Sequence, residues 1–113
     1  MRAEALKGHL DGLLLAVLDG RALHGYAVIE ALREGSDGAF DLPTGTVYPA
    51  LRRLERAGLV RSGWSTVAGR RRRTYELTDA GRRALASQRT AWEAFSAAVS
   101  ALLGRRDPWP ATH

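Results

Sequence analysis

Arginine is the residue whose placement in this sequence suggests chemistry. Residues 42–75 contain eight arginines and a single acid, Glu55, and so carry a net charge of +7 within a 113-residue chain of +5. The eight are Arg52, Arg53, Arg56, Arg61, Arg70, Arg71, Arg72 and Arg73. Positive charge focused on one segment is typical of a site for a polyanion. A guanidinium can also pair in a bidentate way with the O6 and N7 atoms of guanine.

Residues 42–60 are interpreted as the short helix that presents part of this charge. Val47, Leu51 and Leu54 recur at helical spacing and form one apolar face. The remaining circumference carries Thr46, Tyr48, Arg52, Arg53 and Arg56. One side of the helix can therefore pack on a core while the other remains basic.

The start of this helix has two candidate N-caps, Thr44 and Thr46. Pro49 favours a start near Thr46, because a proline in the first turn loses no helical hydrogen bond. Gly58 can adopt the left-handed conformation that ends a helix, and a strand is expected from Val60.

Two helices are predicted ahead of this segment. The first begins at His9, carries the apolar residues Leu10, Leu13, Leu14, Val17 and Leu18, and ends at Gly20. Its apolar face is wide enough to pack on its own domain and also on a partner. The second covers residues 23–33, so that helix, turn and helix follow in order.

A β-hairpin is predicted after the basic helix. Residues 59–65 and 72–77 have the composition of strands, and residues 66–71 join them. Gly69 and four arginines at the tip make the hairpin a wing. The fold class is therefore mainly α with a small β-hairpin, and the domain, residues 6–78, is a winged helix-turn-helix.

A long C-terminal helix is predicted over residues 79–103, with Thr78 as its N-cap. Leu85, Trp92 and Val99 are spaced by seven, and a second series of the same spacing interleaves with them: Gln88, Phe95 and Leu102. Such a seam predicts a dimerisation helix, with help from Leu14 of the first helix. Residues 104–113 are expected to form an unstructured tail.

The candidate DNA-binding residues divide into three groups. Arg52 and Arg53 are candidates for contacting guanine, and their order in the sequence leaves open which of them points into the groove. The wing arginines, Arg70 to Arg73, are expected to neutralise phosphates. Thr44, Thr46, Tyr48 and Pro49 can contact the duplex from the start of the basic helix, and Tyr26 from the start of the second helix.

Several function classes find no support in the sequence. There is no cysteine, so a disulfide, a thiol nucleophile or a thiolate metal site is impossible. His9, His24 and His113 are scattered and suggest neither a metal site nor a catalytic triad, so no enzyme and no cofactor are expected. No apolar run is long enough to span a membrane, and we expect a cytoplasmic protein without a membrane partner.

Three stretches resemble the PadR family of bacterial transcriptional regulators. They are Leu23-His24-Gly25-Tyr26, residues 45–60 (GTVYPALRRLERAGLV) and residues 69–81 (GRRRRTYELTDAG). The resemblance implies a homodimeric repressor of the short subgroup, with one helix after the wing. It also implies that the third helix enters the major groove of an inverted-repeat operator while the wing lies along the flanking backbone.

The same resemblance suggests a small aromatic effector. In multidrug-sensing relatives a tryptophan of the last helix packs planar compounds at the dimer centre, and Trp92 stands at the matching place. A tryptophan there is also a good interface residue without any ligand. The alternative function is a winged helix that docks on a protein or on RNA without specific duplex binding.

Overall fold

The computed structural model describes residues 8–104. For Val67 it describes the backbone but not the side chain. The elements in chain order are α1 (Leu10–Val17), β1 (Leu23–His24), α2 (Gly25–Gly35), α3 (Thr44–Arg56), β2 (Val60–Val67), β3 (Arg70–Leu77) and α4 (Asp79–Leu103). The strands form one antiparallel sheet in the order β1-β3-β2. This architecture confirms the predicted winged helix-turn-helix with a C-terminal helix. The predicted tail, from residue 105 on, lies outside the described residues.

A single core holds α1, α2 and α3 against one face of the sheet and the first turns of α4. Its buried side chains are Leu14, Leu15, Leu18, Val28, Leu32, Leu42, Val47, Ala50, Leu51, Leu54, Val60, Tyr75, Leu77 and Leu85. The three positions predicted as the apolar face of α3 are all among them. The opposite face of α3 is therefore free to point outward.

The predicted start of α3 is wrong by two residues. The helix begins at Thr44 and not near Thr46, with Pro43 in the N-cap position in an extended conformation. The Pro43 carbonyl accepts the N–H of Thr46 at 3.0 Å, so no hydroxyl cap is needed. Pro49 consequently lies inside the helix. The Gly45 carbonyl loses its helical donor, but Gly45 is exposed and water can replace that donor.

The second helix also begins later than predicted, because a short strand precedes it. Leu23 pairs with Tyr75, and His24 pairs with Thr74. A two-residue strand shows no alternation, and its partner strand lies some 50 residues away in the sequence. His24 then caps α2, since its Nδ1 accepts the N–H of Ala27 at 3.3 Å.

The wing is tighter than the predicted six-residue connection. The strands extend to Val67 and from Arg70, and only Ala68 and Gly69 form the turn. Both turn residues have positive φ, 51° and 78°, as a two-residue hairpin turn requires. Residues other than glycine seldom adopt a positive φ, so the alanine in this turn does not indicate the turn in the sequence. All four wing arginines therefore belong to β3, where their side chains alternate between two faces.

Thr78 anchors the start of α4 to the turn that follows α3. Its Oγ1 accepts the N–H of Gly81 at 3.0 Å and donates to the carbonyl of Gly58 at 2.6 Å. Its backbone N–H donates to the Leu59 carbonyl at 3.1 Å. Gly81 and Leu85 are the buried residues of α4, so the rest of this helix extends past the core.

Candidate nucleic-acid interface

The outward face of α3 is basic. Pro49, Arg52 and Arg56 are exposed and lie opposite the buried residues of the same helix, next to the exposed Gly45. Within residues 8–104 neither Arg52 nor Arg56 forms an ion pair with a carboxylate. Both guanidinium groups are thus available to an external anion. Arg56 was placed on the basic side of the helix by its spacing, but it was not among the predicted contacts.

Arg53 lies on a flank of α3 and not on its outward face. Its Nη2 forms an ion pair with Asp11 of α1, and both side chains remain about half exposed. The structure therefore separates the two arginines that the sequence treated alike. Arg52 is exposed without a carboxylate partner in the described chain, while Arg53 is directed toward α1.

Tyr48 and Thr46 lie on opposite flanks of the same helix. The ring of Tyr48 packs directly on Gly25, where an added Cβ would come within 2.3 Å of the Tyr48 Cε1 atom. The ring of Tyr48 therefore occupies the space beside Gly25. Tyr26, the next residue, is 53% exposed, so two tyrosines border the junction of α2 and α3.

The four wing arginines have different surroundings. Arg70 and Arg71 are exposed near the turn. Arg72 is half-buried, with its Nη1 3.4 Å from Nδ1 of His24. Arg73 Nη2 lies 3.7 Å from Oε2 of Glu55 on α3. The hairpin therefore offers two unpaired cations near its tip and ties the other two to the domain.

Ionisable groups at the base of the wing support this charge distribution. Arg61 Nε donates to Oε1 of Glu76 at 2.7 Å, and this hydrogen bond raises the pKa of Arg61. Burial raises the pKa of Tyr75, which keeps its hydroxyl neutral beside the core. At neutral pH Arg61 is therefore positively charged and Tyr75 is uncharged. Neither residue adds negative charge near the exposed arginines of the wing.

A second surface, the α1–α4 groove, lies away from the basic face. It has a volume of about 650 Å³ and is lined mainly by His9, Gly12, Leu13, Ala16, Phe40, Leu85, Gln88, Arg89, Trp92 and Phe95. Trp92 packs edge-on against His9 with ring centroids 5.9 Å apart, and the Phe95 ring lies at the same centroid distance from Trp92 in a tilted arrangement. The rings of Trp92 and Phe95 are 55% and 58% exposed.

The residues predicted for a dimer or effector surface are only partly at this groove. Leu14 is completely buried in the core, so it cannot contact a partner, and Gly12, Leu13 and Ala16 represent α1 instead. Leu85 is 3% exposed and forms the floor. Val99 is half-exposed, beyond the groove along α4. Phe40, from the α2–α3 loop, also lines the groove.

Among residues 8–104, no helix has both the length and the apolar composition needed to cross a lipid bilayer. No group of three or more histidine, aspartate or glutamate side chains in this range is arranged to hold a metal ion.

The chain is similar to known transcriptional regulators. Residues 14–87 match the family model described as the transcriptional regulator PadR-like family. The transcriptional regulator Rv3488 of Mycobacterium tuberculosis is 46% identical over 61 residues, which are 54% of this chain and 57% of that protein. The crystal structure of a PadR-like transcriptional regulator from Bacillus cereus has a TM-score of 0.82 at 26% identity, over 92% of this chain and all of the other. A PadR family regulator from Clostridium difficile has a TM-score of 0.77 at 31% identity, over 85% and 99% of the two chains.

Proposed function

The chain belongs to the PadR-like family of transcriptional regulators, and on that premise we propose that it is a repressor that binds an inverted-repeat operator as a homodimer. In general terms, the chain is a DNA-binding transcriptional regulator, and members of this family are not enzymes. Because the proposed target is chromosomal DNA, we place the protein in the cytoplasm.

The outward face of α3 is the observation that carries this proposal. Arg52 and Arg56 project from it without carboxylate partners in the described chain. The exposed residues beside them, Pro49 and Gly45, have short side chains or none and leave room for a ligand. A helix of this kind fits the major groove, where Arg52 is best placed to contact guanine. Arg53 is assigned to a phosphate at the edge of the groove, because Asp11 holds it on the flank.

The remaining predicted contacts are assigned around this helix. Thr44 and Thr46 at the start of α3 can donate to a phosphate or touch a base edge. Tyr48 and Tyr26 border the α2–α3 junction and are assigned to the backbone of the adjacent strand. The wing arginines, Arg70 to Arg73, supply the positive charge beside the groove.

The homodimer is proposed to form through α4. Trp92 and Phe95 are more than half exposed, and Leu102 and Leu103 further along the helix are 63% and 82% exposed. Large apolar side chains in one continuous stripe are stabilised when a second copy covers them. The α1–α4 groove then becomes part of the interface, with α4 of one protomer seated near that of its partner.

A small aromatic effector is the second function proposed for the same groove. Its volume of about 650 Å³ is that of a site for a drug-sized molecule, and Trp92 and His9 offer ring faces and edges for a planar compound. A ligand that favours one spacing of the two α3 helices would change operator affinity.

Selection from random duplex DNA tests the operator. The purified protein should enrich an inverted repeat whose half-sites are about one helical turn, ~34 Å, apart. Enrichment of no sequence by a dimeric protein would contradict the proposal and favour docking on a protein or on RNA.

Tryptophan fluorescence tests the effector. A planar aromatic compound should quench the emission of the Trp109→Phe variant but not the corresponding signal in Trp92→Phe. Absence of quenching across a panel of such compounds would contradict an aromatic effector in the groove.

A further inference from the structure

Trp64 occupies an unusual place on the wing. On the hairpin face that packs against α3, the side chains of β2 run from the buried Val60 through Ser62 to Trp64, which is 61% exposed. The core ends before Trp64. A large aromatic ring is therefore exposed on the surface of a basic hairpin. Packing in the core does not explain its position.

Two arginines of β3 lie over the Trp64 ring. The guanidinium carbon of Arg71 is 5.0 Å from the ring centroid, and that of Arg73 is 5.8 Å from it. Arg73 pairs across the strands with Trp64, while Arg71 is one step nearer the turn on the same face. Both distances are within the range of a cation–π interaction.

The same contacts connect the wing to α3. Arg73 Nη2 lies 3.7 Å from Glu55 of α3, and the Ser62 hydroxyl donates to the same Glu55 carboxylate. Glu55, Arg73, Trp64 and Arg71 thus form a continuous series, which we call the wing stack. It leads from the proposed recognition helix to the tip of the wing.

The charges in the wing stack are not equivalent. Glu55 partly offsets the charge of Arg73, whereas Arg71 has no carboxylate partner within residues 8–104. A free arginine side chain loses much rotamer freedom when it binds a phosphate. A ring that already restrains the guanidinium reduces this loss.

We propose that Trp64 is a positioning residue for DNA binding: its ring holds the Arg71 guanidinium against a backbone phosphate beside the groove occupied by α3. This inference rests on the proposed function. Arg70 provides a contrast, because its side chain lies on the other face of the hairpin and does not touch the ring. Trp64 itself carries no charge, so any effect on ionic contacts must act through its neighbours.

The salt dependence of duplex binding tests this inference. Each phosphate contact contributes about 0.9 to the slope of log affinity against log salt concentration. Trp64→Ala, Trp64→Leu and Arg71→Ala should each reduce the magnitude of the slope by up to about 1.8 per operator, because the proposed homodimer loses one phosphate contact in each protomer. Affinity should fall about fivefold for each protomer, as the loss of one exposed cation–π contact and its phosphate implies. Trp64→Phe should retain most of the wild-type slope.

Double variants provide the matched control. Arg71→Ala should have little further effect on the slope in the Trp64→Ala background, because both changes remove the same contact. Arg70→Ala should have the same effect whether or not Trp64 is present. Circular dichroism spectra and melting temperatures of the variants establish that each is folded.

Three results would overturn the inference: a wild-type slope in Trp64→Ala, a wild-type slope in Trp64→Leu, or an undiminished effect of Arg71→Ala when Trp64 is absent. These results concern the variants alone. A wild-type protein without salt-dependent duplex binding would instead contradict the proposed function, and the inference with it.

Discussion

At the scale of single residues, neighbouring carboxylates distinguish arginines that look alike in the sequence. Asp11 holds Arg53 and Glu76 holds Arg61, whereas Arg52 has no such partner in the described chain. Exposed ion pairs of this kind contribute little to stability, about 0–1 kcal/mol. Their effect is on direction, because they determine which guanidinium faces an incoming ligand.

Base preference should therefore depend on Arg52 more than on Arg53. We expect Arg52→Ala to lose about 1–3 kcal/mol of discrimination at one base pair, because the bidentate contact with guanine disappears. Arg53→Ala, the control, should weaken binding by a similar factor on every sequence. Affinities for duplexes that differ at single positions measure both effects. Equal loss of discrimination in the two variants would contradict the assignment.

At the scale of elements, helices were predictable where a regular apolar period or a cap was present. The buried face of α3 and the Thr78 cap of α4 follow from the sequence in this way. The strand Leu23–His24 does not, since its two residues are held by a partner distant in sequence. The burial of Leu14 and the ion pair of Arg53 with Asp11 depend on how the helices pack against one another in the assembled core. Local patterns carry no information on that packing.

The junction between the winged domain and α4 should be sensitive to a single methyl group. A Cβ at Gly81 would lie 1.9 Å from the Leu59 carbonyl oxygen, so Gly81→Ala must displace the start of α4. We expect the free energy of unfolding to fall by about 1–3 kcal/mol. Chemical denaturation at a fixed protein concentration measures it.

Gly35→Ala is the control for this change. No atom lies within 4 Å of the added Cβ, and the residue ends a helix. Its stability should be unchanged or should rise by up to about 1 kcal/mol. A loss in Gly35→Ala equal to that in Gly81→Ala would contradict this explanation, because it would show that an added methyl group destabilises the protein without the contact with Leu59.

At the scale of the whole molecule, the basic face and the α1–α4 groove lie on different sides of one small core. Helix α1 borders both, since Asp11 pairs with Arg53 of α3 while the adjacent Gly12 lines the groove. A change in the groove can thus reach the proposed DNA-binding face through a single helix. This arrangement suits a regulator whose partner or ligand at α4 alters the placement of α3.

Dimerisation should depend on one side of α4. Phe95→Glu places a charge in the apolar stripe, so we expect the protein to sediment as a monomer at concentrations where the wild type is dimeric. Ala97→Glu is the control, because residue 97 is exposed about 200° around the helix from residue 95. Sedimentation velocity distinguishes the species. A dimeric Phe95→Glu variant would contradict an interface centred on this stripe.

A single titration tests whether the protein binds a specific DNA sequence as a homodimer. The selected operator is compared with a duplex in which one half-site is scrambled, at physiological salt and with stoichiometry measured. We expect two protein chains per intact operator and a preference over unrelated duplex of at least about 10³-fold, most of it lost when one half-site is scrambled. Equal affinity for all duplexes, or one chain per site, would contradict this expectation.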